Sequence, residues 1–317
     1  MKLLFNKKVS TIPQGQIEIK ATLGFLDGDF NYTNLEPDIK LATPYLIDLV
    51  GQDVYDKIEA YYVDNATVTP EAEAEKHQTA LEYMQLYVLS MAYLDYAPDN
   101  DLNHGNGGRS FRSEDNEKIP WDWQVQNSNA SIKKRAYKAL DLLMLLLDGS
   151  EWEEWTNSDQ YKTANSVLIK NTKEFDAVFP INKSGQLYYR LVPFMADFEQ
   201  EHLYAIFTET VYTTLKEKES PTDAEKRLLV LSKKAIAYLS LGKALKAFPV
   251  EMFPDGLVYQ ENTKMKSTAR AEVMEFLNNE GNKYLSKLQY ELDNQNETYE
   301  AIDPTFGLDD DSKHVHL

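Results

Sequence analysis

A chain of 317 residues and 36.4 kDa is long enough for one large or two ordinary domains, each able to bury a core without metal or disulfide support. Cysteine is absent, which removes disulfide frameworks, thiolate metal sites, iron–sulfur clusters and thiol nucleophiles together and fits a reducing compartment. With 33 Lys and Arg against 51 Asp and Glu, the formal charge is −18 and the pI about 4.7, so the averaged surface repels a phosphate backbone and argues against nucleic-acid binding as the main activity.

The N-terminus, MKLLFNKKVSTIPQ, sets only Leu3, Leu4 and Phe5 ahead of Lys7 and Lys8, too little for the apolar region of a signal peptide. The longest clean apolar run, Leu142 to Leu147, is far short of a membrane span. A soluble protein made and kept in a cytoplasm is the expectation. Residues 1–36 read as an N-terminal arm in which the alternation QIEIKATLGF (16–25) predicts a short strand.

Residues 37–150 read as a helical domain. Ile39, Ala42, Leu46, Leu49, Val50, Val54, Tyr55 and Ile58 recur at helical spacing and predict an amphipathic helix broken near Gly51. Thr69 as N-cap, Pro70 at the first helical position and acidic Glu71, Glu73 and Glu75 announce a second helix that runs to Pro98. Its apolar residues, Leu81 to Leu94, cover most sides, which places it in the middle of a bundle. A loop, NHGNGGRSFRSEDNEKIPWDWQ (103–124), leads to a third helix from about Trp121 or Ser131 to Leu147, closed by Gly149.

Residues 151–190 read as a linker or small hairpin, with a helix-like stretch SVLIKNTKEF and turn residues at Pro180, Asn182, Ser184 and Gly185. Residues 191–296 read as a second helical domain. Thr69-Pro70 to Pro98 aligns without gaps, at a shift of 151, with Ser220-Pro221 to Pro249, pairing Tyr87 with Tyr238 and Leu94 with Leu245. Upstream, Pro44, Asp48 and Tyr55 pair with Pro193, Asp197 and Tyr204. Internal duplication and a coincidence of helix-pair architecture both account for this pattern. Residues 297–317 lack periodicity and read as an extended C-terminal tail. The fold class is therefore mostly all-α: a helical bundle, as two similar domains if the duplication is genuine, with a short N-terminal β arm and an extended tail.

No strong catalytic motif emerges. HGNGGRS could surround an anion with its glycine backbone, Arg109 and Arg112, but it follows a helix, lacks the lysine of a Walker loop and runs into SEDNEK. It reads as a projecting inter-helix loop whose tryptophans fold back to anchor the next helix. Glu151, Glu153 and Glu154 interleave with Trp152 and Trp155 as in glycosidase clefts, yet adjacent carboxylates in a turn diverge, so a corner anchored by its tryptophans is the stronger reading. Of five histidines only His314 and His316 have chelating spacing, at the tip of the tail. There is no Gly-x-Ser-x-Gly elbow. No cofactor or metal is expected. The 20 Tyr, 13 Phe and 4 Trp, unusual beside so much charge, instead suggest a folded protein with a partner.

Taken in order, the N-terminal arm, PDIKLATPYLIDLVGQDVYDKI, a buried helix ending YLDYAP, the glycine-bearing loop, KIPWDWQ, and KKRAYKALDLLMLLLDGSEWEEW resemble the helical head–tail connector, or adaptor, family of tailed phages, including crAss-like phages of gut bacteria. The resemblance covers roughly residues 1–215, and more weakly the remainder, through packing and loop motifs rather than catalytic ones. It implies a non-enzymatic virion protein, synthesised in the bacterial host cytoplasm. Its subunits would form a ring, usually of twelve, beneath the portal, bind the next tail or ring protein, and let DNA through the lumen without reading its sequence. Gly107, Gly108, Arg109, Phe111, Arg112, Trp121 and Trp123 in the loop, with Phe306, His314 and His316 in the tail, are the candidate subunit or portal interface. Typical connectors are shorter, which leaves three readings of the second half from about Asp197 to Asp293: an internal copy, a docking domain for other ring proteins, or a resemblance at the level of the fold only. A cytoplasmic all-helical enzyme or ligand-binding protein of bacterial origin stays open as the alternative.

Overall fold

A computed structural model describes residues 2–9, 12–26, 30–64, 68–105, 108–111, 120–253 and 267–296. It is an all-α bundle to which two small two-stranded ribbons are attached. In the N-terminal arm, β1 (Lys8–Val9) pairs antiparallel with β2 (Ile12–Pro13). The strand expected at 16–25 is instead helix α1 (Gly15–Leu23). Ile17-Glu18-Ile19 satisfies a period of two as well as of 3.6, and the neighbours decide between them. Ile19 and Leu23, four residues apart, are buried where α1 meets the bundle, while Ile17 remains 63% exposed.

Helix α2 (Tyr32–Val50) starts before the predicted position because the Asn31 side chain accepts the Thr33 N–H and caps it there. All eight apolar positions named for this region are buried. The chain breaks at Gly51, whose φ of 87° needs glycine, and resumes as α3 (Gln52–Asp64). Helix α4 (Glu71–Asn100) is capped at Pro70, one residue later than expected, and passes Pro98 by two residues. A ribbon, β3 (Leu102–Gly105) with β4 (Gly108–Phe111), separates it from α5 (Asp122–Asp148).

The predicted linker is folded into α6 (Glu153–Thr156), α7 (Asp159–Ser166) and α8 (Thr172–Val178). Ser158 and Asn171 cap the latter two by accepting N–H bonds, and Ser184 does the same for α9 (Gly185–Phe198). VLIK (167–170) is not helical: Val167, Leu168 and Ile169 plug the core from an irregular segment. After α9 a π-helical turn (Glu199–Leu203) continues into α10 (Tyr204–Phe207), then α11 (Glu209–Glu217) and α12 (Asp223–Ala247). Thr222 and Glu225 form a reciprocal capping box at the start of α12. Helix α13 (Ser267–Asn296) packs along it. A cross-over this close needs small residues, since a Cβ on Gly281 would lie 2.6 Å from Leu239 Cγ.

Helix α4 lies between α2 and α5, and α12 lies between α9 and α13, while α5 against α9 joins the two sets. The buried apolar residues form one continuous cluster from Leu4 to Leu288, so the core does not stop where the second half begins. The halves also turn alike. Gly51 (φ 87°, ψ 153°) and Thr208 (φ 66°, ψ 150°) each end one helix and open the next. Four residues on, buried Tyr55 and Tyr212 donate their N–H to the Gly51 and Thr208 carbonyls. By this geometry the counterpart of Tyr55 is Tyr212, rather than Tyr204 as the sequence pairing has it, because the π turn and α10 lengthen the second-half helix before it bends.

A β-branched residue at positive φ is strained, and glycine relieves that strain while adding chain entropy to the unfolded state. Thr208→Gly is expected to stabilise the protein by about 1 kcal/mol, read as a higher urea midpoint at unchanged slope. A lower midpoint would mean that the threonine makes contacts worth more than the strain.

Candidate functional site

The predicted interface residues are only partly brought together. Gly108, Arg109 and Phe111 lie on β4, opposite Gly105, His104 and Leu102 respectively. Asn-Gly at 106–107 between these paired runs is a hairpin signal that the loop reading passed over. Gly107, Arg112, Phe306, His314 and His316 lie outside the described residues. Trp121 and Trp123 do not fold back onto the core: they are 72% and 60% exposed at the start of α5. The reason is local. The Gln124 side chain accepts the Trp121 N–H at 3.0 Å, so the helix start is capped by an amide, and neither indole is needed to anchor it.

The other two tryptophans behave as anchors. Trp155 is fully buried, and Trp152, 5% exposed, donates its indole N–H to Glu73 at 3.0 Å. Lys57 lies over the Trp152 ring, 5.1 Å from its centre, and pairs with Glu154 at 2.8 Å. The His77 ring packs on the other side of this group, 4.7 Å from Trp152. Lys76 and then the indole hold the Glu73 carboxyl below the usual carboxylate range. Of the corner's carboxylates Glu154 is thus committed to a structural partner, whereas Glu151 and Glu153 face solvent. Among the described residues no cluster of three His, Asp or Glu could hold a metal ion, and no helix is long and apolar enough to cross a membrane.

The most chemically loaded region is one the sequence did not single out, the seam between α5 and the α7–α9 segment. Two carboxylates one heptad apart on α5 are partly buried there. Asp141 accepts from the Ser184 hydroxyl at 2.6 Å and the Gln186 N–H at 3.2 Å, and burial outweighs these bonds, raising it from the ordinary 3.8 to about 6. Asp148 accepts from the Tyr189 hydroxyl at 2.5 Å and more distantly from Thr172, and burial raises it too. Glu199, in the π turn, takes the Leu168 N–H at 2.5 Å and faces Lys216 at 3.5 Å; burial again raises its carboxyl. The signal for the first two was present as acids at 141 and 148 inside the apolar run ALDLLMLLLD.

Three pockets of roughly 430, 480 and 360 Å³ open around the α7–α9 segment, the last two along this seam. The first is walled by α2, α7 and α9 and contains Arg190; the second is bordered by Asp148, Tyr189 and Lys183, and the third by Asp141, Lys183 and Glu251. At the last two, Asp141 and Asp148 tie α5 to the α8–α9 segment through Ser184, Thr172 and Tyr189.

No curated protein and no solved structure matches the chain. A family model does, over residues 46–165 and 197–310, leaving 166–196 unmatched between the two stretches. The chain belongs to that family, DUF6712, a family of unknown function.

Proposed function

We propose that the protein is a structural virion subunit that forms a homo-oligomeric ring at the portal–tail junction and connects head to tail. The observation that carries this reading is the pair of exposed tryptophans beside the β3–β4 ribbon, at one end of the α4–α5 pair. Indoles are expensive to leave in water and are enriched where proteins meet. Leu41 and Tyr45, 64% and 67% exposed on consecutive turns of α2, add a second apolar strip. A ring closes only if one patch on a subunit meets a different patch on its neighbour, and two separate strips meet that requirement. The partners are further copies, twelve by the usual count of the resembling family, together with the portal and the adjacent tail proteins. The charge of −18 suits a lumen that passes DNA without gripping it, and a basic lumen in the assembled ring would contradict that part of the reading.

Native mass measurement and electron microscopy of the protein alone and with portal test the proposal. Trp121→Ala/Trp123→Ala, and separately Arg109→Ala/Phe111→Ala/Arg112→Ala, are expected to shift stability by less than about 0.5 kcal/mol while abolishing ring formation or portal capture. Normal particles built from both variants would remove this end of the α4–α5 pair from the interface. A stable monomer with no portal affinity would favour the other reading, a helical enzyme or ligand-binding protein.

A further inference from the structure

We infer that the pocket between α2, α7 and α9 binds a small zwitterion, with its carboxylate on Arg190 and its amine on Asp48 and Asp159. The pocket, roughly 430 Å³, is lined by Tyr45, Leu49, Val192 and Pro193 as well as by these three charged residues. That is a common size for a small-molecule site, with apolar walls and few charges. Arg190 emerges from the apolar run LYYRLV on α9 and is partly buried; its Nε is fully buried and has no hydrogen-bond partner. The guanidinium pairs with no carboxylate among the described residues; it hydrogen-bonds the Tyr87 hydroxyl and lies near that of Tyr137. Those hydroxyls do not supply a counter-charge, because burial pushes Tyr87 up to about 12 and raises Tyr137 as well. A guanidinium presents a five-donor fork matched to carboxylates, and here no protein acid fills it.

Asp48 and Asp159 also line the pocket, are exposed, and form no salt bridge among the described residues, with Arg190 or with any other cation. Three charges of both signs therefore share one cavity without neutralising one another. A polyanion such as a nucleotide would meet the two acids, and a simple amine would meet Arg190. A ligand carrying both charges on a short apolar chain satisfies all three and packs its methylenes on Leu49, Val192 and Pro193. This inference does not depend on ring assembly.

The full-length protein titrated with 5-aminopentanoate, n-pentanoate and n-pentylamine, by calorimetry or ligand-observed NMR, tests it. Saturable binding of 5-aminopentanoate, at least about tenfold tighter than either singly charged probe, is expected. Arg190→Gln should weaken it by about tenfold or more. The double variant Asp48→Asn/Asp159→Asn changes only exposed side chains, so it is expected to keep the wild-type melt, and it should reduce 5-aminopentanoate to the affinity of pentanoate while leaving pentanoate unchanged. Equal binding of 5-aminopentanoate and pentanoate to the wild type, undiminished binding in the double variant, or no saturation with any probe would overturn the assignment.

Discussion

Gly185→Leu is expected to destabilise the protein by about 3 kcal/mol, at the upper end of overpacking costs. Gly185 is the first residue of α9, and a Cβ placed on it would stand 2.5 Å from Met144 Cβ and 3.6 Å from the Asp141 carbonyl. Met144 is fully buried, and its Cβ is fixed to the α5 backbone, so relief requires α5 and α9 to move apart. That movement would also stretch the Ser184 and Gln186 bonds to Asp141, which lie within two residues of the clash. The melting temperature should fall by about 6–12 °C. Gly185→Ala should show a smaller loss of the same kind, and the denaturant slope should stay constant if the chain still unfolds as one unit. A Gly185→Leu protein that melts like the wild type would mean the seam is loose in solution.

Asp141→Asn should have the opposite sign at neutral pH. Burial lifts the Asp141 carboxyl from 3.8 to about 6, so the folded state holds the proton more tightly than the unfolded chain. The stability this brings is fully present below about 3.8 and is lost as pH rises through about 6, for a total of about 3 kcal/mol from two pK units. Above that range the wild type carries an ionised, desolvated carboxylate whose two donors do not fully compensate it. Asparagine keeps an acceptor for the Ser184 hydroxyl and the Gln186 N–H but has no charge to desolvate. The variant is therefore expected to be more stable than the wild type by about 2–3 kcal/mol at pH 7.5, with the gap closing toward pH 4. Urea midpoints of both proteins across that range measure the difference directly, and the background titration of the other acids cancels in it. A constant offset between the two curves would show that Asp141 is ionised throughout, stabilised by its donors.

Much of the architecture was legible. The eight apolar positions from Ile39 to Ile58, the break at Gly51, the burial on most sides of α4 and the cap at Gly149 all follow from spacing and cap chemistry, which act within a few residues of the chain. The errors have one cause as well. QIEIKATLGF fits two periods over so short a run, and only the bundle surface beneath Ile19 and Leu23 selects the helix. The tryptophans of KIPWDWQ read as anchors that fold back, but Gln124 does the capping and leaves them outside. The site was less legible than the fold. Arg190 in YYRLV looks like an ordinary interruption of an apolar run, and its lack of an acidic partner is a property of three other helices.

The sequence by itself determined the all-helical class, the succession of long helices and the anchoring role of Trp152 and Trp155, because helical periodicity and capping are local. Only the tertiary structure decided that the predicted linker holds three short helices, two of them capped by side chains. It also decided that one core runs through both halves, that Tyr212 holds the same place after the Thr208 bend as Tyr55 does after Gly51, and that Asp141 and Asp148 bond Ser184 and Tyr189 across a seam. Burial, desolvation and charge pairing depend on what the chain brings back from a hundred residues away, and no local pattern records them.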